Sequence, residues 1–245
     1  SITMIAVLAV SGAARGNEPI AGQAPSAPTS DAREWKPDPA WKPLGQSLWF
    51  DPASRRLMVQ TRLVLREGPL EHLLCLKGTK EHEAILATDA KPRLIHAGLL
   101  LTGAEPGQPV KFDPRFVPPK GSAIAIELEW RDGEQTRKAT GRSWVRDHKG
   151  NPPATDWVFA GSELVNDPVT GEKFYAADDG DLITVANFPS SILDLPFASS
   201  DSDAGRTFEA NTPVLPPIGT SVRMWLSPIP NRSEDAPKPP TADRD

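Results

Sequence analysis

Residues 123–140 constrain this chain more than any other stretch. Ile124, Ile126, Leu128 and Trp130 fall on one side of an extended backbone, and Glu127 and Glu129 fall on the other. That period of two is a strand with one buried face. Asp132-Gly133 follows, a pair that supplies the positive φ angles of a tight hairpin turn, and Gln135 to Thr140 is predicted to return beside it. The remaining chain is punctuated in a similar way. Its 27 prolines and 18 glycines interrupt the apolar segments, and hydrophobic residues reach only 38%. Many turns, long loops and a limited core are therefore expected.

Arg56 to Leu65 places Leu57, Val59, Leu63 and Leu65 on one side. Leu70 to Leu76 and His82 to Thr88 follow after breaks at Gly68-Pro69 and Gly78, and the three runs are expected to form an antiparallel meander. Further strands are predicted at 157–160, 173–176, 182–186 and 220–226. A single helix is predicted, near 92–102. Pro92 suits the first helical position, where its missing N–H costs nothing, and Gly103 suits the left-handed cap. Leu94, Ile95, Ala97, Gly98, Leu99 and Leu101 form its apolar stripe, with Arg93 and His96 opposite. The fold class is α+β and mainly β: antiparallel sheets, one principal helix packed on a sheet, and long Pro/Gly-rich loops.

The ends read differently. Ile2 to Val10 is a short apolar run, and Ser11-Gly12-Ala13 offers the small residues of a signal-peptidase site, so 1–16 is expected to be a truncated signal peptide. Export to the periplasm or beyond follows from that reading. No segment approaches the roughly 20 apolar residues of a membrane span, so no transmembrane anchor is expected in the mature chain. Residues 17–40 and 230–245 are too poor in large aliphatics to offset ordering entropy and read as disordered linker and tail, leaving 41–229 as one domain.

Composition excludes some chemistry. A net charge of −5 with no basic window argues against nucleic acid as a partner. The single Cys75 permits no disulfide within the chain and no iron–sulfur cluster.

Several segments resemble the YdjY-like domain family of bacterial exported proteins. They are Lys80-Glu81-His82-Glu83, Ala90-Lys91-Pro92, and the helix end from Ile95-His96 to Thr102-Gly103. Others are Trp157-Val158-Phe159-Ala160-Gly161-Ser162, Tyr175-Ala176-Ala177-Asp178, Ile192-Leu193-Asp194-Leu195-Pro196 and Pro217-Ile218-Gly219-Thr220-Ser221-Val222. The resemblance spans most of 57–226. It implies a domain with no agreed activity, so no catalytic residue carries over from it.

The densest ionisable segment is Glu81-His82-Glu83, with His96 on the helix and His72 and Cys75 before it. Imidazole and carboxylate suit a divalent ion. Against that, neighbours on a regular strand point to opposite faces, so His82 and Glu83 cannot share an ion there. Cys75 lies in an apolar run and reads as an inert buried thiol. Asp178-Asp179-Gly180-Asp181 reads as a solvated hairpin turn, because its spacing does not fit a calcium loop. Ser162 lacks the flanking Gly of a nucleophile elbow. Trp35, Trp41 and Trp49 read as pins that hold the linker on the core. The expected role is a non-catalytic exported module that binds a protein or envelope component, with no cofactor and no catalytic residue. The alternative is a small metal-dependent protein, such as a hydrolase, using Glu81, His82, Glu83 and His96.

Overall fold

A computed structural model describes residues 35–166, 169–199 and 208–230. The expected signal peptide, most of the linker and nearly all of the tail lie outside these residues. One sheet holds eleven strands: β1 (Lys42–Gly45), β2 (Leu48–Asp51), β3 (Arg56–Leu63), β4 (His72–Leu76), β5 (Ala84–Thr88), β6 (Ala123–Asp132), β7 (Gln135–Thr140), β8 (Trp157–Phe159), β9 (Asp181–Thr184), β10 (Leu193–Asp194) and β11 (Ser221–Pro228). The α-helix, α1, is Pro92–Thr102.

Eight of these strands close on themselves in the order β3-β11-β6-β8-β10-β9-β4-β5, and β5 pairs back to β3 through Arg62↔Ala87 and Leu63↔Leu86. The result is a small mixed barrel. Most neighbours are antiparallel, but β4–β5 and β9–β10 are parallel. Its core takes Leu57, Val59 and Leu63 from β3, Ile124, Ile126 and Leu128 from β6, and Val222, Met224 and Leu226 from β11. Trp157 and Phe159 from β8 complete it. Thr61 shares this face of β3, and its hydroxyl is satisfied by the Val222 carbonyl at 2.9 Å.

The β6–β7 hairpin is as the sequence predicts, with Asp132 opposite Gln135 and Gly133 at φ 59°. The antiparallel meander is not. β4 pairs with β5 in parallel, and β3 reaches β5 rather than β4. A parallel pair ordinarily needs a crossover of a dozen or more residues. Here residues 77–83 suffice, because β4 has only five residues and the return path is roughly 13 Å at about 3.3 Å per residue. Residues 185–192 make a second short crossover between β9 and β10. The third strand also begins at Ala84, not His82, which leaves Glu81, His82 and Glu83 on the first crossover.

Helix α1 starts at Pro92 and ends on Gly103 in the left-handed conformation, as the sequence predicts. Its buried residues are Pro92, Ile95, Gly98, Leu99 and Thr102. That face is turned from the predicted stripe toward His96, and Leu101 is 49% exposed. The helix lies against β1, β2, β3 and β11.

Trp35 stacks on Trp41 with ring centroids 5.7 Å apart, and Trp41 meets Trp225 of β11 edge-on at 4.9 Å. Trp49 meets Trp35, and the Arg56 and Arg223 guanidinium groups lie over Trp225 and Trp35. The segment from Trp35 is thereby fixed to the outside of the barrel, which is the pinning role expected of these rings.

Candidate functional site

Side chains from the two short crossovers gather in a polar cluster on the antiparallel pair β4–β9. His72 opens β4 and is fully buried. Its Nε2 is 2.8 Å from Asp181 Oδ1 at the start of β9. Lys80 Nζ, from the first crossover, is 2.9 Å from the same oxygen. Ser190, from the second crossover, donates to Asp181 Oδ2. Phe188, on that same crossover, stacks on the His72 ring with centroids 5.6 Å apart and planes 8° from parallel.

Asp181 follows Gly180, whose φ of 117° is a conformation that favours glycine. A Cβ at Gly180 would stand 2.4 Å from Thr79 Oγ1. The bare glycine therefore lets the acidic turn close against the 77–83 crossover. This overturns the reading of 178–181 as a solvated turn. Asp178 and Asp179 are exposed, but Asp181 is buried.

Burial works against the Asp181 charge, yet the hydrogen bonds from His72, Ser190 and Lys80 outweigh it. They hold the carboxyl well below the usual carboxylate range. Ionised, Asp181 can only accept, so His72 Nε2 carries the proton between them. The other ring nitrogen, Nδ1, is buried without a hydrogen-bond partner. One ligand atom each from His72, Glu71 and Glu83 lie within 4.8 Å of one another, a group found among the described residues.

Adjacent residues Glu71 and His72 reach one point because the strand is irregular there. Both their N–H groups donate to the Glu83 carbonyl, at 3.0 and 3.1 Å, and the Glu71 carbonyl accepts from both Val185 and Ala186. The β4–β9 register slips on either side of Ile183. Such doubling is the mark of a bulge, and it re-aims side chains that a regular strand would send to opposite faces.

Of the four candidate site residues named from the sequence, Glu81, His82, Glu83 and His96, only Glu83 joins this cluster. Glu81 accepts from the Gly78 N–H at 3.1 Å and serves the turn. His82 is exposed and 3.7 Å from Glu83. His96 lies elsewhere, on α1. Its Nδ1 is 2.8 Å from the Tyr175 hydroxyl, and its ring meets Phe159 edge-on. Burial lowers the pKa of His96, with the Gly161 carbonyl acting against it. His82 and His96 share no partner. Burial pushes the Cys75 thiol up to about 12, and Ser162 Oγ accepts from the Ala177 N–H. Sequence reasoning weighed His72 only in passing and passed over Glu71, Lys80, Asp181 and Ser190 as partners. The alternation rule hid the pair 71–72, and nothing local signals that 181 and 190 return to 72.

No helix among the described residues is long and apolar enough to cross a membrane. A family model, the YdjY domain, matches residues 48–227. No curated protein and no solved structure matches the chain.

Proposed function

Because the chain belongs to the YdjY domain family, a membership that fixes a domain but no reaction, we propose a role from the site itself: a non-catalytic binding module that takes a divalent cation at Glu71, His72 and Glu83. One observation carries this reading. Asp181 holds the buried His72 by Nε2 and leaves Nδ1 without a hydrogen-bond partner, and a ligand atom of His72 lies within 4.8 Å of one each from Glu71 and Glu83. A carboxylate behind a ligating imidazole is the usual outer support of a metal-binding histidine. One nitrogen with two carboxylate oxygens suits Zn2+ or Mn2+ better than Ca2+ or Mg2+, which favour shells of oxygen alone. Bonds of about 2.1 Å need ligand atoms about 3.4 Å apart. Binding rather than turnover is favoured because Cys75 is held as a neutral thiol and the Ser162 hydroxyl is engaged by backbone.

Zn2+ at a hundredfold excess over its Kd should stabilise the fold by about 2.7 kcal/mol. Glu83→Gln should weaken binding at least tenfold. Titration calorimetry and thermal unfolding check both. No heat and no thermal shift with Zn2+ or Mn2+ would remove the reading. His72→Ala is a poorer test, because it strands Asp181 and opens a buried cavity.

Two broader features belong to the same proposal. Leu164 and Phe174, on the hairpin formed by Leu164–Asn166 and Lys173–Tyr175, are exposed apolar side chains, and they support contact with a protein or envelope component. The apolar run at 2–10 supports export. Fractionation of cells expressing the chain with its native upstream sequence should place it outside the cytoplasm, and deletion of 1–16 should retain it inside. Equal distribution of the two would count against export.

A further inference from the structure

We infer that the loop from Lys111 to Val117 docks the domain on an anionic lipid surface. The inference rests on neither the cation site nor the contact proposed for Leu164 and Phe174. Every residue from Lys111 to Phe116 is exposed. Among them Phe112 and Phe116 leave 55% and 38% of their surface in water, with ring centroids 6.0 Å apart. Single apolar side chains scattered on a surface are ordinary, but two paired phenylalanine rings at one loop tip call for a partner. The tip is also held in place. Lys111 and Val117 exchange backbone hydrogen bonds at 3.0 and 2.8 Å, and Val110 and Pro119 on either side are buried. Beneath them Pro106–Gln108 pairs with Lys120–Gly121. A Cβ at Gly107 or Gly121 would run into the backbone of Lys120 or of Phe159, so the bare glycines let this ribbon lie directly on β8. Pro114, Pro118 and Pro119 restrict the backbone further, which lowers the entropy cost of presenting the rings.

Charge identifies the occupant. Lys111 immediately precedes Phe112, Arg115 immediately precedes Phe116, and Lys120 stands in the ribbon below. Against these three cations residues 106–121 hold one acid, Asp113, so loop and ribbon carry +2 in a chain of net charge −5. Among the described residues no ion pair engages Lys111, Arg115 or Lys120. Exposed charges more than about 8 Å away are largely screened at physiological salt, so a surface approaching the tip meets its cations before the acidic remainder of the chain. Apolar rings flanked by cations match a bilayer interface. The rings enter the boundary between headgroups and acyl chains, while the ammonium and guanidinium groups stay at the level of the phosphates.

The test is flotation of the full chain with two kinds of vesicle, phosphatidylcholine alone and an equal mixture of phosphatidylcholine and phosphatidylglycerol. Wild type should float with the anionic vesicles and lose most of that binding at high salt. The double variant Phe112→Ser/Phe116→Ser should partition at least about tenfold more weakly onto the same vesicles. Lys111→Gln/Arg115→Gln should lose on the order of tenfold there and be unchanged on phosphatidylcholine alone. Phe174→Ser is the control, because that ring has the same 38% exposure as Phe116 but lies on another hairpin. It should stay within about twofold of wild type, as a surface change away from the binding site does. Phe112→Ser alone is read by the same criterion should the double variant lose its cooperative melt. A wild-type chain that does not float with anionic vesicles overturns the inference. Equal flotation of wild type and the phenylalanine variant also overturns it, and assigns the binding to the apolar run at 2–10 or to another surface. Dimerisation without lipid that the phenylalanine variant abolishes would give the tip to a second copy of the chain, and overturns the lipid surface as its occupant.

Discussion

Replacing Asp194 by Asn should flatten the dependence of stability on pH between about pH 4 and pH 8. The difference in unfolding free energy between wild type and variant should change by roughly 4 kcal/mol across that interval. Asp194, on β10, is fully buried. Its Oδ1 accepts from Leu195 N–H at 2.7 Å, Asn187 Nδ2 at 3.0 Å and Thr184 Oγ1 at 3.1 Å, while Oδ2 has no hydrogen-bond partner. The groups that face it from β9, from the 185–192 crossover and from its own strand are all neutral. Burial therefore wins over these bonds and pushes the carboxyl up to about 7. An acid whose folded pKa is raised has no cost below its unfolded value near 4. Its cost grows as the pH rises through the folded value, because the fold holds a proton that the unfolded chain has released. His96 works the other way, since its lowered pKa penalises the fold in acid. Asp181 loses its contribution only below the ordinary carboxylate range. For these reasons the quantity to compare is wild type minus Asp194→Asn, from urea unfolding at several pH values. Parallel curves would mean that Asp194 is ionised and satisfied in the fold. The unpartnered Asn amide carries its own penalty of about 1–3 kcal/mol, but this is the same at every pH and shifts the offset alone.

Gly98→Leu should cost about 3 kcal/mol or more, and Gly98→Ala a smaller part of that. A Cβ at Gly98 would stand 2.5 and 2.9 Å from the two methyls of Leu57 and 3.2 Å from Leu44. Leu57 is completely buried in the barrel core and has no open side to move into. Overpacking of this kind typically costs 1–3 kcal/mol. The alanine variant gains about 1 kcal/mol of helix propensity, so any net loss it shows understates the clash. Chemical denaturation of the pair checks this. A leucine variant as stable as wild type would show that α1 does not rest on Leu57.

Both predictions draw on features of different legibility. The alternation of Ile124 to Trp130, the Asp132-Gly133 turn, and the Pro92 and Gly103 limits of α1 are local signals, and local physics decides them. The face of α1 is less local. A stripe of apolar residues marks a broad sector, and contact with β2 and β3 then chose Thr102 over Leu101 as a buried residue; the structure offers no account of why Leu100 and Leu101 are left exposed. The parallel pairs escaped notice because a crossover as short as 77–83 reads in sequence like a hairpin loop. The cluster at His72 escaped for a related reason. It exists only where a bulge breaks the alternation on which strand reading depends, and where Asp181 and Ser190 return from more than a hundred residues away.

The place of β11 in the ring has a consequence for how the molecule comes to be made. This strand lies between β3 and β6 and pairs with each along most of its length. The bond from Thr61 to Val222 joins residues 161 apart in sequence. While a chain is emerging from its N-terminus, β3 and β6 each present an open flank that no earlier segment can fill. Closure waits for residues 221–228, and a search over so long a loop is slow. Until then the nascent chain is open to chaperones and proteases. A product that stops short of Ser221 carries two unpaired strand edges of the kind that recruit other chains.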